Sequence, residues 1–113
     1  MSEQMPTSFT QIDPKELKSK LNGTGKPLVV DVREAHEVAI CKIDGSVHIP
    51  LGELPQRYQE LDPEQDMVIH CKMGGRSAQA CVFLKQQGFE RVANLNGGIV
   101  AWREQIDPSL NLY

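Results

Sequence analysis

The chain is predicted to be an α/β domain built on a largely parallel sheet. Short apolar, β-rich runs alternate with stretches of helical periodicity through most of the sequence, the pattern of strands joined by crossover helices. The runs near residues 28, 67 and 92 each finish in a polar, charged or glycine-containing loop. In open parallel sheets ligands bind beyond those strand ends. A length of 113 residues fits one domain, which buries roughly two thirds of its unfolded surface.

The elements follow in order. Asp13-Pro14-Lys15-Glu16 opens a helix, with Asp as N-cap, Pro at the first position and Glu closing a capping box, and Asn22-Gly23 stops it. Leu28-Val29-Val30-Asp31-Val32 is a buried strand. Glu34 to Ile40 suits a short helix, Gly45 to Ile49 a short strand, and Leu51 to Leu61 a helical stretch broken near Pro55. Met67 to His70 is the next strand. Ser77 to Gln87 is a helix with Ala78, Cys81 and Leu84 on its inner side, Gln79 and Gln86 outside and Gly88 as its stop. Arg91 to Leu95 is the last strand, Gly97-Gly98 a tight turn, and Ile99 to Gln105 a helix ended by Asp107-Pro108. Residues 1–113 form the domain, with 1–7 a flexible start and 107–113 a tail.

Composition excludes several functions. The net charge is −3 and no lysine or arginine run follows a nucleic-acid backbone. No apolar run approaches membrane-spanning length, and Met1 to Pro6 lacks the basic and apolar parts of a signal peptide. A cytoplasmic location is expected, with neither nucleic acid nor membrane as partner. Cys41, Cys71 and Cys81 are odd in number and widely spaced, so they are expected to be free thiols. His36, His48 and His70 lack ligand-type spacing and are taken as structural or surface residues, with no metal or cofactor expected. Asn22-Gly23-Thr24 matches a glycosylation acceptor but reads more simply as a loop.

The chemistry concentrates in Cys71-Lys72-Met73-Gly74-Gly75-Arg76-Ser77, between a strand and a helix. Two glycines let the backbone curl so that successive N–H groups point at what the sulfur carries, and the helix start adds its positive end. A thiol held there ionises more readily, and the thiolate is the reactive form. Cys71 is therefore the candidate nucleophile. Cys81 is placed in the core, and Cys41 in a half-exposed position from which it could resolve an oxidised Cys71. Arg76 either meets an anionic substrate or ties the loop to a carboxylate, with the tether favoured. Lys72 and Met73, at the loop tip, offer charge and adaptable apolar surface to a substrate. Asp31 and Arg33 flank Val32 and point to one side; a charge network with Glu34, Glu37 or the active loop is as well supported as substrate contact. Asp31, Arg33 and Cys71 are expected to share one site.

These residues resemble the rhodanese domain, a sulfurtransferase fold, over nearly the whole chain. Asp31-Val32-Arg33-Glu34, Gly45-Ser46-Val47-His48-Ile49-Pro50, Cys71 to Ser77, and Asn94-Leu95-Asn96-Gly97-Gly98-Ile99-Val100-Ala101-Trp102 look like its ordered signatures. Cys41-Lys42-Ile43 departs from the Gly-His-Ile that many members carry. Residues 106–113 are similar to the end of rhodanese domains fused to adenylyltransferases of molybdopterin and thiamine biosynthesis. The resemblance implies a single domain with helices on both faces of the sheet and a persulfide-forming Cys71 in the loop Lys72 to Ser77. It also implies a sulfur donor such as thiosulfate, and as partners a ubiquitin-like sulfur carrier, an adenylyltransferase or a cysteine desulfurase. The alternatives are a cysteine phosphatase or arsenate reductase, whose loops place five residues between cysteine and arginine, and a non-catalytic or redox-sensing module. Here four residues separate Cys71 from Arg76.

Overall fold

The computed structural model describes residues 9–112. Five strands form one sheet in the order β1-β5-β4-β2-β3, every neighbouring pair parallel. They are β1 (Thr10–Ile12), β2 (Leu28–Asp31), β3 (Val47–His48), β4 (Met67–His70) and β5 (Val92–Leu95). The chain runs outward from β2 to β3, then returns to place β4 on the other side of β2. The carboxyl ends of β2 and β4 therefore flank the switch point where a doubly wound sheet opens a crevice. Asp31 pairs with His70 there, which sets Arg33 and Cys71 on neighbouring loops.

Helices cover both faces. Alternation along β2 and β4 sends Val30, Val32, Ile69 and Cys71 to one side, where α3 (Leu54–Arg57) and α4 (Gly75–Gln86) supply Leu54, Ala80, Cys81 and Leu84. Tyr58 and Phe83 close that layer edge to face, ring centroids 5.5 Å apart. Val29 and Val68 face the other way, onto Leu17 of α1 (Pro14–Leu21) and Ile99 and Trp102 of α5 (Gly98–Gln105). The short helix α2 (Ala35–Ile40) buries none of its residues fully. No helix among the described residues is long and apolar enough to cross a membrane.

Several local expectations shift. The edge strand β1 was not anticipated, because it buries a single side chain, Ile12, and so has no run of apolar residues. Asp13 stands at the N-cap of α1 but makes no side-chain cap bond; its Oδ1 accepts from Asn96 Nδ2 at 3.1 Å, joining α1 to the loop after β5. A capping box forms instead at α2, between Glu34 and Glu37. The stretch 51–60 holds a short α-helix between two 3₁₀ turns, as Pro55 suggests. Helix α4 begins at Gly75, two residues before the expected Ser77. The flexible start expected for residues 1–7 lies outside the described residues.

Candidate active site

The early start of α4 is a consequence of the cysteine. Gly74 takes φ +116°, a conformation open to glycine, and turns the chain sharply enough for the helix to begin at the next residue. No side chain caps this helix in the usual way. Cys71 Sγ takes that place: Gly74 N–H donates to it at 3.1 Å and Ser77 Oγ lies 3.3 Å away. The sulfur sits where the free N–H groups of the first turn converge.

Cys71 is only 2% exposed. Burial pushes its thiol up, but hydrogen bonds from the Ser77 hydroxyl and from the N–H groups of Ser77, Gly74 and Met73 outweigh that and bring it below the ordinary thiol value. Cys81, one helical turn beyond Ser77, lacks such donors, and burial drives it up to about 12. One thiol of this layer is prepared to ionise and the other is locked neutral.

The loop is held from behind by α5. Ile99 N–H donates to the Cys71 carbonyl at 3.0 Å and Val100 N–H to the Lys72 carbonyl at 3.1 Å. This close approach needs Gly98: at φ +61°, a Cβ there would collide with the Lys72 carbonyl oxygen and lie 2.7 Å from that of Cys71. His70 Nδ1 adds a contact of 3.2 Å to the Cys71 carbonyl, which assigns that nitrogen its proton. Burial lowers the His70 pKa, so the ring is neutral.

Arg76 turns away from the sulfur. Its Nη1 and Nη2 grip the Glu37 carboxylate at 2.6 and 2.9 Å, tying the loop to α2 as a tether. The Arg76 guanidinium beside Glu37 brings that carboxyl down to about 2. Asp31 and Arg33 sit at the same end of the sheet as Cys71, but face the α1/α5 side. They pair with each other, Arg33 Nη2 lying 2.8 Å from Asp31 Oδ2. Arg33 also donates to the carbonyls of Glu37 and Cys41, at 3.5 and 2.7 Å. Of the expected network with Glu34, Glu37 or the active loop, the contact of Arg33 is with the Glu37 carbonyl, and its carboxylate partner is Asp31, since both groups are buried and burial favours the nearest counter-charge. These bonds hold the turn after β2.

Met73 is 69% exposed at the loop tip. Lys72 lines a cleft of about 250 Å³ with Arg33, His36, Glu37, Ile40, Ile99 and Leu112. Cys41 is half-buried and packs in the α1/α5 core, whereas Cys71 belongs to the α3/α4 core, so the structure does not bring the two thiols together. Glu37, expected in the charge network, joins the loop through Arg76, and Asn94 and Gly98 complete the site without having been assigned a role. Asn94 alone carried a usable signal, as a polar residue on the inward face of an apolar strand.

Fold and site together define a class: parallel α/β domains that seat a cysteine sulfur at a helix N-terminus, at the switch point of the sheet. The chain belongs to the rhodanese-like domain family, whose model matches residues 13–105. It is 42% identical over 92 residues to a sulfurtransferase of Allochromatium vinosum, covering 81% of this chain and 86% of that protein. The structure of a rhodanese-like domain protein from Staphylococcus aureus superposes with a TM-score of 0.81 at 30% identity, over 93% of this chain and 99% of that one. A Mycobacterium tuberculosis protein described as a probable adenylyltransferase/sulfurtransferase, MoeZ, is 38% identical over 104 residues, 90% of this chain and 26% of that protein. The likeness to MoeZ is to one segment of it, and the Allochromatium vinosum protein, covered over most of its own length, shares the same likeness.

Proposed function

We propose that this protein is a sulfurtransferase that carries sulfane sulfur as a persulfide on Cys71. The observation that carries the reading is the seat of Sγ, with amide and hydroxyl donors of one short loop gathered around it. The Cys71 thiolate attacks the outer sulfur of thiosulfate. A bond forms from Sγ to that sulfur, the old S–S bond breaks, and its electron pair leaves with sulfite. The terminal sulfur keeps the negative charge, which the loop amides stabilise. A second nucleophile then takes the terminal sulfur and returns Cys71 to thiolate: cyanide in an assay, a thiol or a carrier protein in the cell. Lys72 and Met73 stand where donor or acceptor would meet the loop. The same chemistry suits a persulfide donor such as a loaded cysteine desulfurase, and an acceptor activated by an adenylyltransferase.

Ping-pong kinetics follow from the two half-reactions. Cys71→Ser should abolish thiosulfate:cyanide sulfurtransfer, and the intact wild-type protein should gain the mass of one sulfur after thiosulfate alone. Full activity in Cys71→Ser, or no added sulfur, would overturn the proposal. Phosphate-ester cleavage is disfavoured by the same geometry, since the Arg76 guanidinium that a phosphate would need is held by Glu37.

A further inference from the structure

Asn94 is the only polar residue of β5, it is 3% exposed, and nothing in the persulfide cycle above uses it. Its amide lies against the loop from the sheet side. Asn94 Nδ2 donates to the Gly74 carbonyl at 3.3 Å, and Oδ1 is 2.5 Å from Ser77 Oγ. The amide is fixed in that sense, because turning it over would set Oδ1 against a carbonyl oxygen.

The Ser77 hydroxyl therefore has one proton and three acceptors: Asn94 Oδ1 at 2.5 Å, the Gly74 carbonyl at 3.2 Å and Cys71 Sγ at 3.3 Å. The Gly74 carbonyl already receives Ala78 N–H at 3.0 Å. The competition is between the amide oxygen and the sulfur. We propose that Asn94 is a positioning residue that draws the Ser77 hydroxyl off the sulfur whenever the sulfur is uncharged, so that this donor serves the thiolate and not the persulfide. A thiolate outcompetes a neutral amide oxygen for the proton; a sulfur that carries a proton or a second sulfur does not.

The consequence for the cycle rests on the persulfide reading. During discharge the acceptor's lone pair bonds to the terminal sulfur, the Sγ–S bond breaks, and its electron pair stays on Sγ. The Ser77 hydroxyl rotates from Asn94 Oδ1 to the new thiolate without transferring its proton. Asn94 thereby keeps the resting thiolate from being held so firmly that it becomes a poor nucleophile for reloading, since nucleophilicity falls as a thiol's pKa falls.

The test follows the pH dependence of iodoacetamide alkylation at Cys71, located by peptide mass. It uses the full chain, Asn94→Leu, Ser77→Ala and the Ser77→Ala/Asn94→Leu double variant. Asn94→Leu should lower the inflection, raising the thiolate fraction at a given pH below it by about three- to tenfold, the worth of the one neutral Ser77–Asn94 hydrogen bond that no longer competes with the sulfur. Ser77→Ala should raise it, and in that background the leucine should change nothing further. Asn94→Ala repeats the measurement without added bulk if the leucine variant does not fold. An inflection that stays or rises in these Asn94 variants, or that falls equally with Ser77 absent, overturns the proposal. Alkylation needs no sulfur donor, so failure to load from thiosulfate would count against the sulfurtransfer reading alone.

Discussion

Gly98 shows how much of the site depends on an atom that is missing. Its backbone lies against the carbonyls of Cys71 and Lys72, and only there can the next two N–H groups reach them. Gly98→Ala should cost roughly 1–3 kcal/mol by overpacking, alongside its unfavourable positive φ. Because the clash is with the loop itself, sulfurtransfer should fall more than stability, which paired kinetic assays and urea titration would show. The thiols make a second contrast at this scale. With Cys81 raised to about 12 and Cys71 lowered, neutral-pH alkylation should modify Cys71 in the native protein and reach Cys81 only on denaturation, as peptide mass would read. The places of Cys71 at the strand-to-helix loop and Cys81 in the core were legible in the sequence because strand, glycines and helical spacing are local. The pairing of Glu37 with Arg76 was not, since the two lie 39 residues apart in the chain and no local pattern links them.

At the scale of elements, α2 is fastened to the sheet through its edges. Glu37 closes the capping box of α2, its carbonyl receives Arg33, and its carboxylate holds Arg76. The ion pair is partly exposed, 34% at Arg76 and 19% at Glu37, so Glu37→Gln should change global stability by less than about 1 kcal/mol. The effect should instead be local, as faster amide exchange across residues 72–77. The acid response has a defined sign. Because the Glu37 pKa is depressed in the fold, the tether is complete above the ordinary carboxyl value of 4.5 and is lost as pH falls to about 2. Amide exchange at the loop, corrected for its intrinsic pH dependence, should loosen in that window and be flat there in Glu37→Gln. Strand β4 and helix α4 were readable because four consecutive apolar-to-polar residues and a glycine stop mark them. The start of α4 was misplaced because its cap is a sulfur atom, and no capping pattern includes cysteine.

Across the whole molecule, two cores on opposite faces of one sheet divide the labour. The α3/α4 core carries the Cys71 sulfur, and the α1/α5 side carries the helix that grips the loop and, by alternation along β2, the buried Asp31–Arg33 pair. Leu84, fully buried in the first core, should on Leu84→Ala cost about 2–5 kcal/mol, measured by urea denaturation of the intact chain. The parallel sheet and its crossover helices followed from the alternation of runs in the sequence. The edge strand β1 did not, because three residues with one inward side chain gain their identity only from the partner they pair with. The grip of α5 on the loop also orders events in time. A polypeptide still being synthesised, and ending anywhere before Gly98, already contains Cys71 and every loop residue through Ser77, yet lacks the amides that set the two carbonyls behind the sulfur. The thiol therefore gains its finished surroundings only after the residues through Val100 have left the ribosome, which spares an unfolded chain from holding a fully formed thiolate seat.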